Sequence, residues 1–360
     1  MLPSADLEYD LPESLIATAP AEPRDSARLL VVRRADPGVL EHRAVRDLPD
    51  YVTAGDTLVL NRTRVVRARL EGEREDTGGR VEGLWLGDTD GPSGTWRVML
   101  RSNGRLREGA VVRLTGRSPG AEARITLRRR EGDHWVVSVD PEDADLERIG
   151  RTPIPPYILR ARRARGEAGD DDLDRRRYQT VYASEVEGRG SVAAPTAGLH
   201  LTDELLGRLT AAGVRRTEVE LSVGVGTFAP ITTELVERHP MHPEWCSAPG
   251  EAVRAVIETP GRVIAVGTTS ARTLESVPDP LGGWVEDGWS GDTRLLITPG
   301  YRWRVVDGLL TNFHLPRSTL LAMVGALLPG GVGRLLAIYH EAIDRGYRFY
   351  SYGDAMLILP

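Results

Sequence analysis

The chain has 360 residues, 41% hydrophobic and 27% charged, a balance that suits a globular protein and, at this length, two domains. All 46 basic residues are arginine, which excludes lysine Schiff bases, lysine-anchored pyridoxal phosphate and the P-loop Gly-Lys-Ser/Thr. The net charge of −6 speaks against a globally basic nucleic-acid binder, the lone Cys246 excludes an internal disulfide, and no run is long enough to span a membrane, so a cytoplasmic protein is expected.

In chain order, residues 29–32 read as a short buried strand, with Arg24, Asp25, Ser26 and Arg28 in a polar loop beside it. Residues 57–60 form a second strand after the Gly55-Asp56 turn and end in Asn61-Arg-Thr-Arg64. From about 65 to 140 the texture changes. Apolar or alternating runs at 81–86, 96–100, 110–114, 123–127 and 135–139 recur between Gly, Pro, Asn and Asp clusters. That spacing predicts a small antiparallel barrel or sandwich. Residues 151–177 combine a stiff Pro153-Ile-Pro-Pro-Tyr157 with Arg160, Arg162, Arg163 and Arg165, an acidic break, and Arg175-Arg-Arg177. Mixed charge of this kind reads as a solvated flexible loop, with contact to a phosphate backbone as the functional alternative.

The remainder alternates. A helix over 202–212, opened by Thr202, Asp203 and Glu204, precedes a strand at 216–223, a helix at 251–258, a strand at 262–266 and a helix at 271–276. A Trp/Gly-rich linker covers 280–291, strands are expected at 293–297 and 303–306, helices begin near Ser318 and at 332, and the tail 347–354 reads as a strand and a turn. The expected fold is α/β: a mixed α/β main domain (1–64 and 150–360) with an inserted small antiparallel β-barrel domain (65–149).

Three stretches carry chemistry. The small-residue segment Ser191 to His200 lets a ligand approach the main chain with an imidazole at hand. The strand at 262–266 runs into Gly267-Thr-Thr-Ser270, where backbone N–H groups and hydroxyls at a helix start suit a phosphate or carboxylate. The strand at 216–223 runs into Gly224-Val-Gly226-Thr-Phe228; neither turn is a Rossmann fingerprint. His239, His242 and Glu244 invite a metal reading, but Pro240 and Pro243 oppose a helical ligand pair, and no metal is expected. A triad of Ser270, His200 and an acid lacks the Gly-x-Ser-x-Gly elbow.

Together, Tyr178-Gln-Thr-Val-Tyr182, Gly190 to His200, Val223-Gly-Val-Gly-Thr-Phe228, Met241-His-Pro-Glu-Trp245, Ala265-Val-Gly-Thr-Thr269 with Arg272 to Ser276, Thr311-Asn-Phe-His-Leu-Pro316 and Tyr347 to Asp354 resemble the S-adenosylmethionine:tRNA ribosyltransferase-isomerase family of queuosine synthesis. The likeness runs in order over effectively the whole chain. It implies transfer of the ribosyl part of S-adenosylmethionine to 7-aminomethyl-7-deazaguanine in tRNA, giving epoxyqueuosine and releasing adenine and methionine. It also implies an α/β domain with an inserted six-stranded barrel and tRNA as partner; apart from the resemblance, a monomer without a metal is expected. A base must take the proton that the sulfonium acidifies, so His200 is the first candidate and His314 the second, with Glu275 and Asp354 as partner carboxylates or as acids. The donor would meet Thr196, Gly198, Gly224, Gly226, Thr227, Phe228, Gly267, Thr268, Thr269, Ser270, Arg272 and Asn312. The tRNA would meet Arg62, Arg64, Arg160, Arg162, Arg163, Arg165 and Tyr178. Two departures stand out: Ser222 replaces a usual histidine and Arg62 a usual acid. They keep a paralogue with a small-molecule acceptor, or an inactive RNA-binding relative, in view.

Overall fold

The structure is a computed structural model describing residues 1–89, 91–116, 120–184, 190–224, 230–278 and 287–360. Its first strand, β1 (Arg28–Arg33), hairpins into β2 (Asp36–Ala44), and β3 (Thr57–Asn61) follows. The chain then leaves to build a closed barrel from β4 (Arg69–Arg74), β5 (Arg80–Asp88), β6 (Thr95–Ser102), β7 (Val111–Thr115), β8 (Glu122–Glu131) and β9 (His134–Asp140). Alternation places Leu70, Val98, Val112, Ile125, Leu127 and Val137 inside, and pairing of β4 with β7 closes the ring.

After α1 (Leu146–Ile149), the arginine-rich stretch is helical, as α2 (Pro156–Arg165) and α3 (Asp171–Arg177), so the expectation of a flexible loop is corrected. Pro156 starts the first helix, where its missing N–H costs nothing, and Gly166 ends it in the left-handed region. Asp170 caps the second through its side chain. The chain returns through α4 (Asp203–Ala211), β10 (Arg215–Leu221), β11 (Glu244–Pro249), α5 (Gly250–Ile257), β12 (Val263–Val266), α6 (Thr268–Ser276) and β13 (Gly288–Thr293). It ends with β14 (Gly308–Asn312), α7 (Thr319–Ala326), α8 (Gly331–Asp344) and β15 (Ala355–Leu359).

The nine-stranded sheet has the order β13-β11-β10-β3-β12-β14-β15-β1-β2. Its centre, β10-β3-β12-β14, is parallel, and β3, β12, β14 and β15 are buried throughout because helices cover both faces. Side chains alternate across it. Leu30, Val59, Ala265, Leu309 and Met356 face α5 to α8, while Leu29, Leu58, Leu60, Val266 and Leu357 face Leu205, Leu206 and Leu209 of α4. No single helix among the described residues is long and apolar enough to cross a membrane.

Apart from Thr293, which ends β13, the strands expected at 293–297 and 303–306 are instead parts of the connection between β13 and β14. The buried Glu275 carboxylate accepts the backbone N–H groups of Arg304, Val305 and Val306, replacing the ladder a strand would need.

Candidate active site at the ends of the parallel strands

A cavity lies where β10, β12 and β14 run out, the position at which open α/β sheets receive ligands. Its walls are segment 193–197, Val223, Gly267 to Thr269, Thr311 to Leu315, Ser318 and Leu320, closed by Tyr157, Tyr350 and Ser351.

One wall is a helix start. Gly267 turns the chain at φ 88°, which an ordinary side chain would resist, and leads directly into α6. That start has no side-chain cap, so its unpaired N–H groups and positive dipole end are available to an anion in the cavity. The Thr269 hydroxyl is buried without a partner, whereas Ser270 spends its hydroxyl on Val266 O at 2.8 Å. Arg272, a turn further on, is buried and ion-paired with Glu244, leaving Nε and Nη2 without partners. Glu244 in turn accepts the Gly224 N–H at 2.9 Å, tying α6 to the exit of β10.

The opposite wall is β14 and the segment after it. Asn312 accepts from Thr196 Oγ1 at 3.0 Å and donates to Tyr350 O at 3.0 Å, joining three segments. His314 is half-buried; its Nε2 lies 2.8 Å from Thr311 Oγ1. Tyr339 accepts its backbone N–H and Tyr9 donates to its carbonyl, so the residue is held from both sides. Burial pushes its pKa down to about 4, leaving a neutral imidazole at neutral pH. Tyr157 and Ser351 pair their hydroxyls at 2.5 Å.

The other residues singled out for catalysis lie outside this lining. His200 is buried, with Nδ1 3.0 Å from Ala197 O and Nε2 2.8 Å from Gly353 O, and burial lowers its pKa. Asp354 accepts the Arg28 and Arg348 N–H groups and pairs with both guanidiniums. Glu275 is the carboxylate that holds 304–306. Gly198 packs so tightly that a Cβ would meet Tyr182 Oη at 1.9 Å; it shapes the wall from behind. Gly226, Thr227 and Phe228 lie outside the described residues. Glu244, read with His239 and His242 as a possible metal set, is engaged by Arg272, and no such set forms among the described residues.

Of the arginines expected to meet RNA, Arg162 is buried in a bidentate pair with Asp174 (2.7 Å) and donates to Thr18 O, and Arg165 donates to three carbonyls of 13–16. Tyr178 is fully buried. Arg160 and Arg163 are exposed. Arg62 lies 3.9 Å from the buried Glu220, so the reversed charge at 62 meets a carboxylate on β10. Tyr157, Thr311, Ser318, Tyr350 and Ser351 were not singled out from sequence; most sit inside or beside recognised motifs, but a hydroxyl carries less signal than a histidine or an acid.

A mixed α/β enzyme fold, with an anion-ready helix start and an imidazole around one cavity and a barrel inserted ahead of it, is the class these features define. The chain belongs to the queuosine biosynthesis protein family, whose profile matches residues 4–358. It is 48% identical over 362 residues to the S-adenosylmethionine:tRNA ribosyltransferase-isomerase of Anaeromyxobacter sp. (strain Fw109-5), covering 98% of each chain. It is 49% identical to the protein of that name from Gloeobacter violaceus, over 98% of this chain and 95% of the relative. Among solved structures it resembles S-adenosylmethionine tRNA ribosyltransferase from Thermotoga maritima, with a TM-score of 0.53 and 31% identity over 98% of this chain and all of that one.

Proposed function

We propose that this chain transfers and isomerises the ribosyl part of S-adenosylmethionine onto 7-aminomethyl-7-deazaguanine in tRNA, yielding epoxyqueuosine, adenine and methionine. The observation that carries this reading is the pairing, in one cavity, of an uncapped helix start with the neutral imidazole of His314. The α6 N–H groups and the Thr269 hydroxyl hold the donor's methionine carboxylate, and Arg272 supplies positive charge behind them. The narrow interior measures about 60 Å³. That is far below the several hundred Å³ typical of small-molecule sites, so the nucleoside end of the donor extends past the mouth beside Val223.

His314 takes the proton from the ribose carbon next to the sulfonium, and Thr311 fixes the ring's orientation. The acceptor amine replaces adenine on its ribose carbon, adenine leaving with a proton. The carbanion closes onto that same carbon as the ring oxygen departs from it. That oxygen then displaces the sulfur, forming the epoxide and releasing methionine. The sulfonium supplies the electrophilic activation. His200, Asp354 and Glu275 act in this scheme as positioning groups rather than as catalysts.

The test is incubation with S-adenosylmethionine, with and without tRNA carrying the modified base, followed by chromatography for adenine. Adenine formed only with that tRNA supports the reading. Adenine formed equally with a free deazaguanine amine makes the acceptor a small molecule, and none under any condition overturns it.

A further inference from the structure

A second opening lies beside the first: a groove of about 390 Å³ lined by Arg64, Asp172, Arg175, Arg176, Gln179 and Thr180. Three guanidiniums face one carboxylate, and Asp172 is already directed to Arg67, 3.8 Å away. The groove is built rather than incidental. Arg175 and Arg176 sit in the last turn of α3, where cations suit the dipole, and the Arg162–Asp174 pair anchors that helix from beneath. Arg24 clamps the helix exit by donating to Arg176 O at 2.7 Å and Gln179 O at 2.6 Å. The Gln179 side-chain amide accepts the Val65 N–H at 3.1 Å and donates to Val65 O at 2.7 Å.

Two features suit the lining to a ligand. Thr180 is buried, 5% exposed, and lines the groove with its hydroxyl within reach of the Tyr182 ring hydroxyl. The Arg176 side chain is exposed and enters no ion pair among the described residues. Arg175 reaches Glu147 at 3.0 Å, an exposed pair that water screens and an incoming anion can displace. Forked guanidiniums with a hydroxyl donor match the oxygens of a phosphate.

The groove and the active-site cavity share one segment. Ser191 N donates to Arg64 O at 2.9 Å, and Ala193, two residues further on, lines the cavity. We propose that this groove seats a backbone phosphate of the acceptor RNA, next to the nucleotide whose base meets the donor at the cavity mouth. Proteins read RNA loops through splayed-out bases, and a phosphate fixed beside Ser191 sets where such a base is presented. The identity of the RNA rests on the function proposed above; the phosphate seat rests on the groove.

The test compares the wild type with Arg176→Gln and the Arg175→Gln/Arg176→Gln pair, both on exposed side chains, with folding checked by thermal melting. tRNA binding is measured across a salt series. The slope of log affinity against log salt should shrink by about 1 for each arginine removed. The KM for tRNA should rise, while kcat at saturating tRNA and the affinity for S-adenosylmethionine stay level. Unchanged slope and KM in the variants, with an active wild type, overturn the proposal. So does stabilisation of the wild type, but not of Arg176→Gln, by inorganic phosphate alone with tRNA binding unaltered, because the groove then serves free phosphate. A chain that binds tRNA with an Arg176-dependent slope yet releases no adenine sinks the proposed reaction and leaves the phosphate seat standing.

Discussion

His314 and His200 show how surroundings, not residue type, set what an imidazole can do. Both are neutralised by burial, yet only His314 lines the cavity, while His200 sits between two carbonyls. Replacing His314 with Gln should lower kcat by roughly 10²–10⁴-fold at unchanged folding, read from adenine release. His200→Gln should instead lower the thermal midpoint and leave the shape of the pH–rate profile intact; a profile that moved would return His200 to the chemistry. Stability carries a related signature. His314 titrates at about 4 in the fold against an ordinary value of 6.5, so below pH 6.5 the unfolded chain binds more protons than the folded one. Its contribution to the unfolding free energy is therefore level above about pH 6.5 and falls as pH drops toward about 4. Urea titrations through that window should show the decline, shallower in His314→Gln. An identical decline in the variant would mean that other groups carry it.

At the scale of elements, α2 and α3 are joined by a charge pair whose arginine, Arg162, sequence alone assigned to RNA. Arg162 and Asp174 are both buried and meet through two 2.7 Å bonds, so deleting one partner strands the other. Asp174→Ala should cost about 3–5 kcal/mol in denaturant titrations. Arg162→Gln should also destabilise without changing the salt slope of tRNA binding, unlike Arg176→Gln; a matching loss of slope would put Arg162 on the RNA after all.

The same contrast explains what was legible. Strands buried on both faces, β1, β3 and β12, announce themselves as unbroken apolar runs, and Thr202 and Ser318 mark the helices they cap. Strand β4, Arg-Leu-Glu-Gly-Glu-Arg, shows only two buried positions, while β11 and β13 each set a single tryptophan among mostly small or polar residues, so all three escape a hydrophobicity pattern. The runs at 293–297 and 303–306 look like strands, but the backbone N–H groups of 304–306 are met by one carboxylate 29 to 31 residues away in sequence. Strand β15, five apolar residues between two partners, was hidden by its place at the chain end. In the site, Gly267 to Thr269, Thr196, Asn312 and His314 were readable as motifs. That His200, Glu275 and Asp354 point at backbone was not, because composition does not reveal which way a buried side chain turns.

For the whole molecule, the placement of the barrel makes a separable prediction. Its entry and exit are paired directly: Arg69 N donates to Arg151 O at 3.0 Å and Arg151 N to Arg69 O at 2.8 Å. A short linker can therefore bridge the gap left by removing residues 70–150. The barrel has its own core, from Leu70 to Ile149, and its closed ring leaves no strand edge exposed by excision. No residue of that span lines the active-site cavity, whose walls come from 157 onward. The packing of Val66 against Gly190 and of Arg64 against Ser191 is kept, while the pairs of Arg67 and Arg175 with Glu147 go with the barrel. The excised chain should then bind S-adenosylmethionine, by calorimetry, as tightly as the full chain. The barrel alone should unfold cooperatively in urea. Loss of donor binding in a chain that retains its far-ultraviolet circular dichroism would show that the barrel braces the sheet ends from a distance, and the two units would have to be treated as one cooperative body.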